Sequence, residues 1–77
     1  MKNKEQFEFE YELDGHEFIE LNILLKTIGA VHSGWEADAS ITKGKVTVND
    51  DVQTQKRFKV RSGFTVVCND KTIVVKQ

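Results

Sequence analysis

The stretch from Ser33 to Asn49, SGWEADASITKGKVTVN, leaves little choice of local structure. Ser33 and Glu36 form a capping box: the serine oxygen can accept from the Glu36 amide while the Glu36 carboxylate reaches back to the Ser33 amide. Ala37 and Ile41 then fall four apart on one helical face, where they can meet a core. Gly44 ends the helix, because glycine takes a left-handed backbone cheaply. Val46 and Val48 alternate with Lys45, Thr47 and Asn49, the period of a half-buried strand. The stretch predicts a capped helix, a glycine stop and a short strand.

The flanking sequence supplies partners for both elements. Residues 1–6 are expected to be a flexible start. Phe7, Phe9, Tyr11 and Leu13 alternate with Glu8, Glu10 and Glu12, a strand with one apolar and one acidic face. Asp14-Gly15 marks a turn, and His16 to Ile19 is expected to be extended again as a short returning strand. Leu21, Leu24, Leu25 and Ile28 make one apolar helix stripe that Gly29 stops; Ala30-Val31-His32 links it to the second helix. After Lys45–Val48, Arg57–Arg61 alternates with Phe58 and Val60 on one side. Ser62-Gly63 turns, and Thr65–Cys68 and Thr72–Lys76 read as a hairpin about Asn69-Asp70. The expected fold is α+β, two short helices packed on a small, mostly antiparallel sheet, as a single domain spanning 7–77.

At 77 residues, without proline, glycine–serine tract or low-complexity run, the chain holds one small core and no linker. No apolar run approaches the roughly 20 residues that span a bilayer, and Met-Lys-Asn-Lys-Glu-Gln lacks the apolar stretch of a signal peptide. A single cysteine cannot form an internal disulfide, which fits a reducing compartment, so a cytoplasmic protein is expected. The formal charge of −1 hides an asymmetry. Residues 1–20 carry two basic side chains against seven acids; residues 43–77 carry eight against three. The overall balance argues against a strong non-specific nucleic-acid binder, while the C-terminal half permits a local basic patch.

The sharpest candidate site is Lys56, Arg57, Lys59 and Arg61. In an extended segment Arg57, Lys59 and Arg61 project from one face, about 6–7 Å apart, close to the phosphate spacing along a nucleic-acid strand. Lysine offers a point charge and arginine a bidentate fork. The competing reading is a solvated strand face, or a cross-strand charge ladder with Glu8, Glu10 and Glu12. A second candidate is the helix start at His32, Ser33, Gly34 and Trp35, whose free amides could hold a phosphate, although Glu36 would repel one placed very near. Trp35 either stacks on an unpaired base or covers the edge of the core. Catalytic chemistry finds little support. His16, His32 and Cys68 lack metal-ligand spacing, no phosphate loop or nucleophile motif is present, and Cys68 alternates with Phe64 and Val66 as a buried thiol would. Asp50-Asp51 reads as a solvated turn.

Ser33-Gly34, Ala37, Ile41, Gly44, Val46, Val48 and Asn49, at these spacings, resemble the core of the S-four RNA-binding domain, named after ribosomal small-subunit protein four. Ile19 to Lys26 upstream, and Lys56-Arg57-x-Lys59-Val60-x-x-Gly63 downstream, resemble its small stand-alone bacterial members, so the resemblance covers roughly Glu17 to Val75. It implies an αL-motif fold, no enzymatic activity and no cofactor or metal. It also implies a monomer binding structured RNA, ribosomal or transfer RNA, beside a ribosomal or RNA-processing protein. A protein-interaction module of the same fold, docking a ribosome-associated partner, is the alternative. The resemblance adds Lys43 and Lys45, which flank Gly44, to the basic set; Lys26 either joins it or complements its helix dipole. The chain departs from the family pattern at four places. Gly34 stands where many larger RNA-modifying members carry Arg, Asp38 where stand-alone relatives often carry Lys, Asp50 where they usually have Gly, and Gln55 where Arg is common. These departures bear on affinity more than on fold.

Overall fold

The computed structural model describes residues 7–77, so the expected flexible start at residues 1–6 lies outside the described residues. Along them run β1 (Phe7–Glu12), β2 (Ile19–Glu20), α1 (Leu21–Thr27), α2 (Gly34–Thr42), β3 (Val46–Val48), β4 (Asp51–Val52), β5 (Lys59–Val60), β6 (Thr65–Cys68) and β7 (Lys71–Lys76). One sheet has the order β1-β7-β6-β3-β4, and β2 and β5 form a separate antiparallel pair. β1 runs parallel to β7, with Phe7 opposite Lys71 and Glu12 opposite Lys76; the other pairings are antiparallel.

The alternation in the sequence sorts each strand's faces. Val46, Val48, Val66, Cys68, Ile73 and Val75 turn inward and are buried. Leu21, Leu24 and Leu25 of α1 and Ala37 and Ile41 of α2, all fully buried, complete the same core. Phe9 and Tyr11 pack half-buried against it, Leu13 is buried, and Glu8, Glu10 and Glu12 are exposed. No polar or charged side chain among the described residues is buried. That is how a core this small avoids the cost of unpaired polar groups. No helix among them is long and apolar enough to cross a membrane.

Both helices end by the same device. The Gly44 amide donates to the Ile41 carbonyl (3.0 Å) and the Lys45 amide to the Ser40 carbonyl (3.1 Å). In α1 the Gly29 and Ala30 amides donate to the Lys26 and Leu25 carbonyls, at 3.2 and 3.0 Å. This paired closure requires a left-handed residue, and the two glycines supply φ of 80° and 77°. At the start of α2, the Ser33 oxygen accepts from the Glu36 amide (3.1 Å), as the capping box predicts. The Glu36 carboxylate, however, accepts from the His32 amide (2.8 Å) rather than from Ser33, so the box closes one residue upstream around an extended Ser33.

The β3–β4 hairpin turns on Asn49 and Asp50, with φ of 53° and 73°, so the turn is of type I′ although Asp50 stands where glycine is the easier residue. Asn49 locks it to the sheet. Its amide donates to the Thr65 carbonyl (2.8 Å), and its side-chain oxygen accepts from the Thr65 amide (2.9 Å).

Two expectations and one competing reading are corrected. The segment after Asp14-Gly15 does not return along β1; its strand is Ile19–Glu20, paired with β5. Arg57–Arg61 is not one strand, because only Lys59–Val60 is paired and the preceding residues cap α1 instead. The cross-strand ladder between the β1 glutamates and the basic segment does not form: β1 lies beside β7 and β5 beside β2.

Candidate functional site

The basic segment is built by anchoring every second residue. α1 has no side-chain cap, so its first amides need other acceptors. The Leu21 amide donates to the Phe58 carbonyl (2.9 Å) and the Asn22 amide to the Lys56 carbonyl (3.0 Å). Two residues on, Val60 pairs with Ile19 and is fully buried, and Phe58 packs half-buried against the core. With Lys56, Phe58 and Val60 tied down in this way, Arg57, Lys59 and Arg61 are left exposed. None of the three has an ion pair among the described residues.

Lys59 and Arg61 are themselves steered. The Lys59 ammonium lies 5.0 Å and the Arg61 guanidinium 5.7 Å from the centroid of the half-buried Phe18 ring. One ring thus orients two cations that would otherwise repel one another. Phe18 precedes β2, and the β2–β5 register places it opposite Arg61. Beside this row lies a wide-open, shallow cavity of about 440 Å³ lined by Gln55, Arg57, Phe58, Lys59, Arg61 and Phe64. The Phe58 and Phe64 ring centroids are 6.3 Å apart, with planes tilted by 32°.

Lys56 is engaged differently. Its ammonium is 4.0 Å from the Asp38 carboxylate, and both side chains are about half exposed, so the pairing is weak. The other Asp38 oxygen accepts from the Asn22 side-chain amide (3.2 Å). Asp38 therefore brings a negative charge beside Lys56 and the start of α1, at the edge of the basic row.

The remaining candidates lie on other segments of the chain. Lys43 and Lys45, exposed and without ion pairs among the described residues, flank the Gly44 turn, where an added Cβ would sit 3.6 Å from Val52 of β4. Lys26 lies in the last turn of α1, about 6–7 Å along the helix axis from the amides that dock Lys56 and Phe58, and Ser33, Gly34 and Trp35 open α2. Trp35 is 79% exposed, which rules out its reading as a cover for the core edge. At the α2 start, Glu36 accepts from the His32 amide, keeping a carboxylate within the first turn. Cys68 is buried, and that burial pushes its thiol pKa up, so it stays protonated and unreactive at neutral pH.

Sequence reasoning missed Phe18 and the Phe58–Phe64 cavity. The aromatic types were visible, but their roles depend on β2 pairing with β5, a contact across some forty residues that no local pattern announces.

A family model described as S4 domain matches residues 11–76. YbcJ of Escherichia coli (strain K12) is 41% identical over 56 residues, covering 73% of this chain and 80% of YbcJ; YbcJ of Shigella flexneri matches with the same figures. The solution structure of YbcJ from E. coli, which is described as revealing an αL motif involved in RNA binding, matches with a TM-score of 0.73 and 32% identity. That match covers 100% of this chain and 98% of YbcJ. The helix pair on a mostly antiparallel sheet is therefore a shared fold.

Proposed function

As the chain belongs to the S4 domain family, we propose that it is a non-catalytic RNA-binding protein that recognises structured RNA, ribosomal or transfer RNA, through the basic row at 56–61. One observation carries this reading: Arg57, Lys59 and Arg61 are all exposed and unpaired among the described residues, on a backbone fixed at each intervening residue. A backbone already fixed need not be ordered when its side chains meet phosphates, so more of their attraction appears as affinity. Lys56, Lys43 and Lys45 extend the positive surface. Lys26, the Ser33–Gly34 helix start and the exposed Trp35 form a second contact region farther along the helix pair. There a base stacked on the indole would contribute about 1–3 kcal/mol. The protein works as a monomer in the cytoplasm, beside ribosomal or RNA-processing proteins.

A second reading, a protein-docking module, is favoured by one observation: β1 is an edge strand whose exposed Glu8 and Glu12 have no ion pair among the described residues. Amide NMR during titration with a structured RNA separates the two. The RNA reading expects shifts concentrated at 56–61 and 43–45. Absence of shifts there with every RNA type tried, at low salt, would move the function to the acidic edge.

A further inference from the structure

The cavity beside the basic row holds more than phosphate binding requires. Its deeper lining is two half-buried phenyl rings; its rim is the exposed Gln55 amide with Arg57, Lys59 and Arg61. Phosphate contacts would use the three cations and leave the rings and the amide idle. A volume of about 440 Å³ falls within the range of small-molecule sites, ~300–1,000 Å³. The Gln55 side chain makes no hydrogen bond to the described residues, so its donor and its acceptor both remain available. The ligand that matches the whole lining is planar and apolar on its faces, has donors and acceptors on its edge, and carries anions on either side at phosphate spacing. A nucleobase within a nucleic-acid strand has these features. A base stacked and paired in a duplex cannot enter, because its faces and its pairing edge are already covered.

We propose that this cavity takes a single unpaired nucleobase of the bound RNA, a bulged or loop nucleotide. The base lies against Phe58 and Phe64 with its edge read by Gln55, and the flanking phosphates sit on Arg57, Lys59 and Arg61. Phe18 acts as a positioning residue by holding two of those cations. The inference rests on the RNA-binding reading and adds to it a preference: RNA that offers an extruded base is chosen over a continuous duplex.

The test uses two RNAs, a blunt, fully paired duplex and the same duplex with one 2-aminopurine bulge, titrated against the full chain at low salt. The wild-type protein is expected to prefer the bulged RNA by about tenfold, the size of one stacking and edge contact. The 2-aminopurine fluorescence should change as the base leaves solvent. Gln55→Ala, at an exposed position that carries no packing, should cut the preference severalfold while leaving duplex binding nearly unchanged. Phe64→Leu should do the same, with its urea midpoint checked beside it. Equal affinity of the wild type for both RNAs would overturn the inference while leaving RNA binding intact. A preference that survives Gln55→Ala and Phe64→Leu but is lost in Trp35→Ala would place the base on the indole and overturn it too. Failure to bind either RNA would remove the RNA reading itself.

Discussion

β1 and the 56–61 segment both carry alternating charge along an exposed edge, and they are held in opposite ways. β1 is a six-residue strand in unbroken register with β7. Phe9, Tyr11 and Leu13 anchor it to the core, and one of its outward acids, Glu10, meets Lys76 at 3.0 Å. The 56–61 segment contributes only two strand residues, takes its remaining support from the first amides of α1, and leaves Arg57, Lys59 and Arg61 without ion pairs among the described residues. The same sequence pattern, charged and apolar residues in alternation, thus gives a register-locked scaffold strand in one place and an unpaired cationic row, the proposed site, in the other. What separates them is where the backbone hydrogen bonds go and whether the charges find partners.

The largest effect should come from the apolar anchors. Leu13→Ala, at a side chain 2% exposed, should cost ~2–5 kcal/mol in urea unfolding, while Arg57→Ala should stay within ~0.5 kcal/mol. Similar costs for the two would erase the distinction between scaffold and site. Gly44→Ala comes next. The added Cβ would meet Val52 only at ordinary contact distance, 3.6 Å, so its cost is the left-handed backbone, about 1–2 kcal/mol by the same measurement.

Asp38→Asn acts on the basic row itself. The amide oxygen can still accept from Asn22, but the negative charge beside Lys56 is gone. RNA binding at low salt should tighten severalfold with little change in stability; unchanged or weaker binding would mean that Asp38 does not temper the row. The smallest effect is expected for Glu10→Gln. Its ion pair is at least half exposed on both sides, so the loss should stay below ~0.5 kcal/mol and RNA affinity should hardly move.

Much of this was legible from local pattern. The Ser33 cap, the Gly29 and Gly44 stops, the apolar stripe of α1 and the β6–β7 hairpin depend on residues within a few positions of one another, so periodicity and left-handed glycine suffice to find them. The exposure of Arg57, Lys59 and Arg61 followed from the same alternation. Long-range pairings were not legible. Leu13 bonds to Lys76 and Gly15 to Gln77, joining the two ends of the described chain in parallel, where sequence proximity favours the wrong expectation of a strand returning after Asp14-Gly15. The glutamate ladder failed for the same reason: charge complementarity can propose a partner but cannot set strand order. Asp38 could be noticed as a departure from family pattern, yet its place beside Lys56 required knowing that the 56–58 carbonyls cap α1.

The most direct test of the account is the salt dependence of affinity for one structured RNA, measured for the wild type, for Arg57→Ala/Lys59→Ala/Arg61→Ala and for Glu8→Gln/Glu10→Gln/Glu12→Gln. If the basic row meets phosphates, each lost contact removes about 0.7–0.9 from the slope of log affinity against log salt. The basic triple variant should therefore flatten the slope by about 2–3, and the acidic one should leave it essentially as it was. An unchanged slope in the basic variant, or an equal change in the acidic one, would contradict the assignment of site to one edge and scaffold to the other.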